Sequence, residues 1–126
     1  MRLLIIGSLN GQFGAASKIA MSRGAKVAHA DTIDAALTAL RNGQGADLAM
    51  IDVGLDIKRL VDSLASERIS LPVVACGVGT DAKAAVAAIR AGAKEYLPLP
   101  PQPELIAAVL EAVAEENKAL VYRDNS

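Results

Sequence analysis

Aromatic side chains are nearly missing. Phenylalanine occurs once, tyrosine twice and tryptophan not at all in 126 residues. Without aromatics there is no stacking platform for single-stranded nucleic acid, and the core has to be aliphatic. An excess of positive charge is missing too. Thirteen Lys and Arg face fourteen Asp and Glu, a formal net charge of −1, which excludes the basic face of a non-specific nucleic-acid binder. Cysteine is down to one residue, Cys76, so no internal disulfide can form. It sits in the apolar run Val73-Val74-Ala75-Cys76 and reads as a small buried hydrophobe. No apolar run approaches the roughly 20 residues of a membrane span. The first residues show no signal-peptide layout. A cytoplasmic protein is the expectation. The G-x-x-x-x-G-K-[ST] phosphate loop of an ATPase is likewise absent from the chain.

What remains is ample for one folded domain. The chain is 52% hydrophobic and 21% charged, outside the disordered range, and of single-domain length. Leu3-Leu4-Ile5-Ile6, closed by Gly7, reads as a strand covered on both faces. Ala15 to Arg23 has helical composition and ends at Gly24. Lys26 to His29 is a second, more polar strand nearer an edge. Asp31 or Thr32 caps a helix with Ile33, Ala36, Leu37 and Leu40 on one face, stopping at Asn42-Gly43. Asp47 to Ile51 is a third strand, and Ile57, Leu60, Val61 and Leu64 stripe the next helix. Val73 to Cys76 is a fourth strand. Thr80 or Asp81 then caps a helix expected to turn Ala85, Val86 and Ile89 inward. Glu95 to Leu97 is a fifth strand. A last helix starts near Pro103-Glu104, with the stripe Leu105, Ile106, Val109, Leu110 and Val113. Five alternations of strand and helix specify a parallel sheet with helices on both faces.

In such sheets ligands collect outside the carboxyl ends of the strands, and the third strand ends there in a carboxylate, Asp52. Other residues that invite a functional reading are weaker. Gly7, Gly11 and Gly14 lack the G-x-G-x-x-G spacing and a ribose-binding acid, so they read as turn and packing glycines. A small ligand-binding domain built on that loop is the least favoured alternative. His29 has no Cys or His partner in sequence and reads as a surface or capping residue. Glu111, Glu115 and Glu116 read as a solvated helix face.

The words Ala46-Asp47-Leu48 leading to Asp52, Leu71-Pro72-Val73-Val74, and Ala91-Gly92-Ala93 with Tyr96-Leu97-Pro98 and Pro100 resemble the response-regulator receiver domain. The likeness covers essentially the whole chain and is strongest to receivers of the NtrC class of sigma-54-dependent activators. Met1-Arg2-Leu3-Leu4, Leu9-Asn10-Gly11-Gln12 and Gly92 to Pro101 look more narrowly like its flagellar members. The resemblance implies a flavodoxin-like (CheY-like) three-layer α/β sandwich. Its five parallel strands would run in the order 2-1-3-4-5, with five helices. Residues 1–119 would form the receiver-like domain, and 120–126 the start of a linker to ATPase and DNA-binding domains.

By position, the resemblance makes Asp52 the phosphoacceptor and Tyr96 the aromatic switch residue. The chain departs from the family at four places. Gly7 and Ser8 stand where two acids hold Mg²⁺, Gly77 where a Thr or Ser reads the phosphate, and Leu99 where a Lys pairs with it. The Met-Pro after the phosphoacceptor is replaced around Gly54-Leu55. Phosphoryl transfer relies on positioning and charge neutralisation, so these departures imply weak or absent Mg²⁺ binding and no cofactor. Asp56 and Asp81 are alternative acids for the same rim, and Lys58 an alternative cation. The expected function is therefore that of a degenerate receiver, not an enzyme, regulating by protein contact. Its partner face would comprise Ile89, Arg90, Lys94, Tyr96, Glu104 and Ile106. The resemblance names a flagellar-assembly regulator of the FliX type as partner, with homodimerisation as another use of that face. A conventional phosphoacceptor receiver in a two-component phosphorelay is the alternative.

Overall fold

A computed structural model describes residues 1–78, 82–100 and 102–112. Nine elements alternate along the chain: β1 (Arg2–Ile6), α1 (Gln12–Ser22), β2 (Lys26–Ala30), α2 (Ile33–Arg41), β3 (Leu48–Asp52), α3 (Ile57–Ser66), β4 (Val73–Val78), α4 (Ala82–Ala91) and β5 (Glu95–Leu99). Residues 103–112 add helix α5. The strands form one sheet in the order β2-β1-β3-β4-β5, every pair parallel. This is the expected three-layer sandwich.

Strand periodicity builds the two cores. Side chains of a strand alternate between faces, so Leu4, Ile6, Ala49, Ile51, Val73 and Ala75 pack against α2, α3 and α4. Their neighbours Leu3, Ile5, Leu48, Met50, Val74 and Cys76 pack against α1 and α5. The cores are aliphatic, with Phe13 at 5% exposure as the aromatic exception. Cys76 is 1% exposed, the small buried hydrophobe expected.

Capping places α2 and α3. The Thr32 Oγ1 accepts from the Ala35 N–H at 3.1 Å, and the Asp56 Oδ1 from the Arg59 N–H at 3.1 Å. Both satisfy a donor that the first helical turn leaves open. The Arg41 guanidinium donates twice to Glu67, at 2.6 and 2.9 Å, joining the ends of the two helices. Arg59 donates to Asp34 across the same pair.

Several boundaries and faces differ from the sequence reading. Helix α1 begins at Gln12, three residues before Ala15, because Phe13 anchors its first turn in the core. Strand β5 runs on to Leu99 through Pro98. Proline is tolerated there because β5 lies at the sheet edge. Helix α4 turns Ala88 inward, whereas Val86 and Ile89 are 49% and 46% exposed and Ala85 is half-buried. On α5, Ile106 and Leu110 are buried but Leu105 is exposed. The Thr80 and Asp81 caps, Val113, the last glutamates and the boundary at 119/120 lie outside the described residues.

Candidate functional site at the carboxyl end of the sheet

Asp52 is the last residue of β3 and half-buried, level with Cys76 of β4. Its Oδ1 accepts the Gly54 N–H at 2.9 Å, so the loop after the strand holds one carboxylate oxygen. The other wall is Gly7. A Cβ on Gly7 would lie 2.9 Å from the Asp52 Cβ and 3.2 Å from the Phe13 ring, and its φ is +134°. No L side chain sits comfortably there. The Gly7 N–H donates to the Ala30 carbonyl at 2.9 Å. Its carbonyl accepts from the His29 Nε2 at 2.6 Å, a nitrogen 3.3 Å from the Asp31 Oδ1. With only acceptors around it, Nε2 carries the proton. His29 thus caps the loop beside Asp52, a link that no spacing in the sequence announces. Ser8 is exposed, and its Oγ accepts from the Asn10 N–H at 3.3 Å.

The remaining positions fall into the sheet. Gly77 is buried at the end of β4, where a Cβ would meet the Tyr96 hydroxyl at 2.5 Å and the Val53 Cγ1 at 2.7 Å. Val53 was not among the residues singled out from the sequence; its only signal is that it follows Asp52. Leu99 is 4% exposed and belongs to the core shared with Leu97 and Ile106. It is a packing residue with no charge to offer an anion. Burial pushes the Cys76 thiol well above its ordinary range, and the Asp52 charge adds to that. The buried thiol is thereby kept neutral.

A Mg²⁺ site of the receiver kind calls for oxygen ligands in near-octahedral geometry, with one or two carboxylates. The donor set here does not fit it. Asp52 faces a buried glycine, and among the described residues no three His, Cys, Asp or Glu side chains cluster around a common point. Asp56 has an oxygen engaged in capping α3. Lys58, the alternative cation, is turned to Asp62 at 2.7 Å. Asp81 lies outside the described residues.

The residues of the expected partner face differ in exposure. Ile89, Arg90, Lys94 and Glu104 are exposed, and Tyr96 is half-buried. Ile106 does not belong to it. At 1% exposure it is a core residue, because the stripe that seats α5 on the sheet includes it. Val78, 74% exposed at the end of β4, was not anticipated. No helix among the described residues is long and apolar enough to cross a membrane.

No protein-family model matches the chain. It is 56% identical over 124 residues to the transcriptional regulatory protein FlbD of Caulobacter vibrioides, covering 98% of this chain but 27% of that protein. Among solved structures, NtrX from Brucella abortus in complex with ATP superposes with a TM-score of 0.83 at 23% identity, over 98% of this chain and 28% of that one. The isolated receiver domain of NtrX from the same organism gives 0.74 at 24% identity, over 90% and 98%. A putative response regulator from Chloroflexus aurantiacus gives 0.76 at 21%, over 89% and 95%. At these identities the structures establish the fold, while the FlbD match ties the sequence to a transcriptional regulator. The chain spans about a quarter of that regulator's length. Fold, strand order and sequence together place the chain in the response-regulator receiver family.

Proposed function

We propose that this chain is the regulatory receiver of a flagellar sigma-54-dependent transcription activator, and that it controls output by protein contact, with little or no Mg²⁺-dependent phosphorylation. The observation that carries this reading is the wall beside Asp52. Gly7 leaves no room for a second acid, and Leu99 is buried where a counter-charge would be needed. A phosphoryl group on Asp52 would find few contacts that differ between two states, and a modification without differential contacts shifts no equilibrium. The chain would then act as a binding module rather than an enzyme, without a cofactor, in the cytoplasm. ATPase and DNA-binding functions would reside in other parts of the protein. Contact would use the exposed residues Ile89, Arg90, Lys94 and Glu104 flanking Tyr96, with a regulator of the FliX type as the occupant and a second copy of the chain as its competitor.

One observation favours the conventional phosphoacceptor reading. Asp52 stays half-buried at the strand end, within reach of a donor. The experiment that separates the two is Asp52→Ala in the full-length activator, with transcription measured with and without the partner. Unchanged output in both conditions is expected. Loss of the response would overturn the proposal and restore Asp52 as a working phosphoacceptor.

A further inference from the structure

The amino end of the sheet, opposite Asp52, carries a second group of polar side chains. Arg2 and Lys26 are partners in the register of β1 and β2, so both side chains leave the same face of the sheet. Leu4 and Ala28 follow two residues on, level with each other, and pack into the core beneath α2. Arg2 and Lys26 therefore stand just beyond that core, where the link from α2 to β3 crosses. The Arg2 guanidinium lies against Gly45 of this link. A Cβ on Gly45 would come to 2.8 Å from Nη1, 3.0 Å from Nη2 and 3.1 Å from Cζ, so the missing side chain leaves the guanidinium its place. Arg2, Lys26 and Gln44, together with Gly43, Gly45 and Ala46, line a cavity of about 290 Å³. Asp47, the acid beside them, is turned to the backbone: its Oδ2 accepts from the Arg2 N–H at 2.8 Å. Among the described residues, neither the Arg2 guanidinium nor the Lys26 ammonium has a carboxylate within salt-bridge distance.

We propose that this cavity is an oxyanion site that takes the phosphate of a phosphate monoester. Charge sets the class. Two cations on adjacent strands match a group that carries about −1.5 to −2 at neutral pH, whereas a single carboxylate would leave one of them unanswered. The guanidinium offers paired N–H donors and Lys26 a compact point charge. The Gln44 amide adds a neutral donor. Leu4, Val27 and Ala28 give the cavity apolar walls, against which the organic part of the ester would lie. Binding here bridges β1, β2 and the α2–β3 link, and it is independent of any chemistry at Asp52.

Backbone amide shifts of the isotope-labelled chain, followed while inorganic phosphate is added at constant ionic strength, test this. Saturable shifts confined to Lys26, Gly43, Gln44 and Gly45 are expected, with the Asp52 and Gly54 amides unmoved. The double variant Arg2→Gln/Lys26→Gln should weaken binding by about tenfold or more, since each charged hydrogen bond lost costs about that. Should the double variant fail to fold, Lys26→Gln alone should give the tenfold loss. Shifts that never saturate, or that saturate equally in the folded variant, would overturn the proposal. Glycerol phosphate and a phosphoserine peptide then separate the sources. Tighter binding of the first points to a free metabolite and of the second to a modified protein, and either outcome upholds the phosphate site. Succinate binding as tightly as both would overturn it in favour of a general carboxylate site.

Discussion

Replacing Gly7 by alanine should be among the most damaging single-methyl additions in this domain. Two costs combine. At φ +134° an L residue occupies a sparsely populated backbone region, at about 1–3 kcal/mol. The added Cβ would stand 2.9 Å from the Asp52 Cβ and 3.2 Å from Phe13 Cε2. Neither atom is the far end of a flexible chain, so overpacking adds about 1–3 kcal/mol. Together that is about 2–6 kcal/mol, against a total stability of about 5–15 kcal/mol for a domain of this kind. Unfolding entropy of about 2.1 cal/mol/K per residue makes each kcal/mol worth about 4 °C at this chain length, so the melting temperature should fall by at least about 8 °C. Urea unfolding followed by far-UV circular dichroism gives the same quantity as a midpoint shift at constant slope. Gly7→Asp, which nominally restores an acid, should pay at least as much. A loss below about 0.5 kcal/mol, ordinary for a surface substitution, would refute the reasoning. It would mean that the loop can open away from Asp52, and that the missing acid is one substitution away.

Other outcomes follow from the same geometry. Cys76 should resist alkylation at pH 8 in the folded protein and react once urea unfolds it, because its thiol is pushed up by burial. The same shift has a sign: stability from the neutral buried thiol is complete below the unfolded thiol's range and declines as pH rises above about 8.5. Glu67 is held below its ordinary range by the hydrogen bond from Arg41. Its contribution is therefore present above pH 4.5 and lost as pH falls through the depressed value. Glu67→Gln should flatten that acid limb of the stability curve, and the difference should shrink in high salt. Leu60→Ala, at a position 0% exposed between α3 and the sheet, should cost about 2–5 kcal/mol in urea unfolding.

The sheet was legible because its strands are continuous apolar runs bounded by turn residues. Leu3 to Ile6 and Val73 to Cys76 could be little else, and their alternation between two cores follows from strand geometry. Helix α2 was legible from Thr32 and Asn42-Gly43, which carry its ends. Helix α4 was not. In Ala82–Ala91 six of ten positions are alanine, so periodicity cannot choose a face: size favours Val86 and Ile89 as the inward residues, while Ala88 is the one that is buried. The start of α1 was missed because Gly14 lowers helical propensity. Its reason is spatial: a Cβ there would lie 2.1 Å from the Leu9 carbonyl oxygen. At the site, Asp52 and its glycine neighbour could be placed by resemblance. The seating of Tyr96 against Gly77 and the His29 cap on Gly7 could not, since both join residues from different strands through side-chain geometry.

The central claim is that Asp52 lacks the surroundings that would make it a metal-assisted phosphoacceptor. The most direct measurement titrates Mg²⁺ with beryllofluoride, a phosphoryl mimic, into the isotope-labelled 126-residue chain and follows backbone amide shifts. No saturable shift at Asp52, Gly54, Gly7 or Gly77 is the expected result. Saturable shifts centred on those amides would contradict the account and make this a conventional receiver.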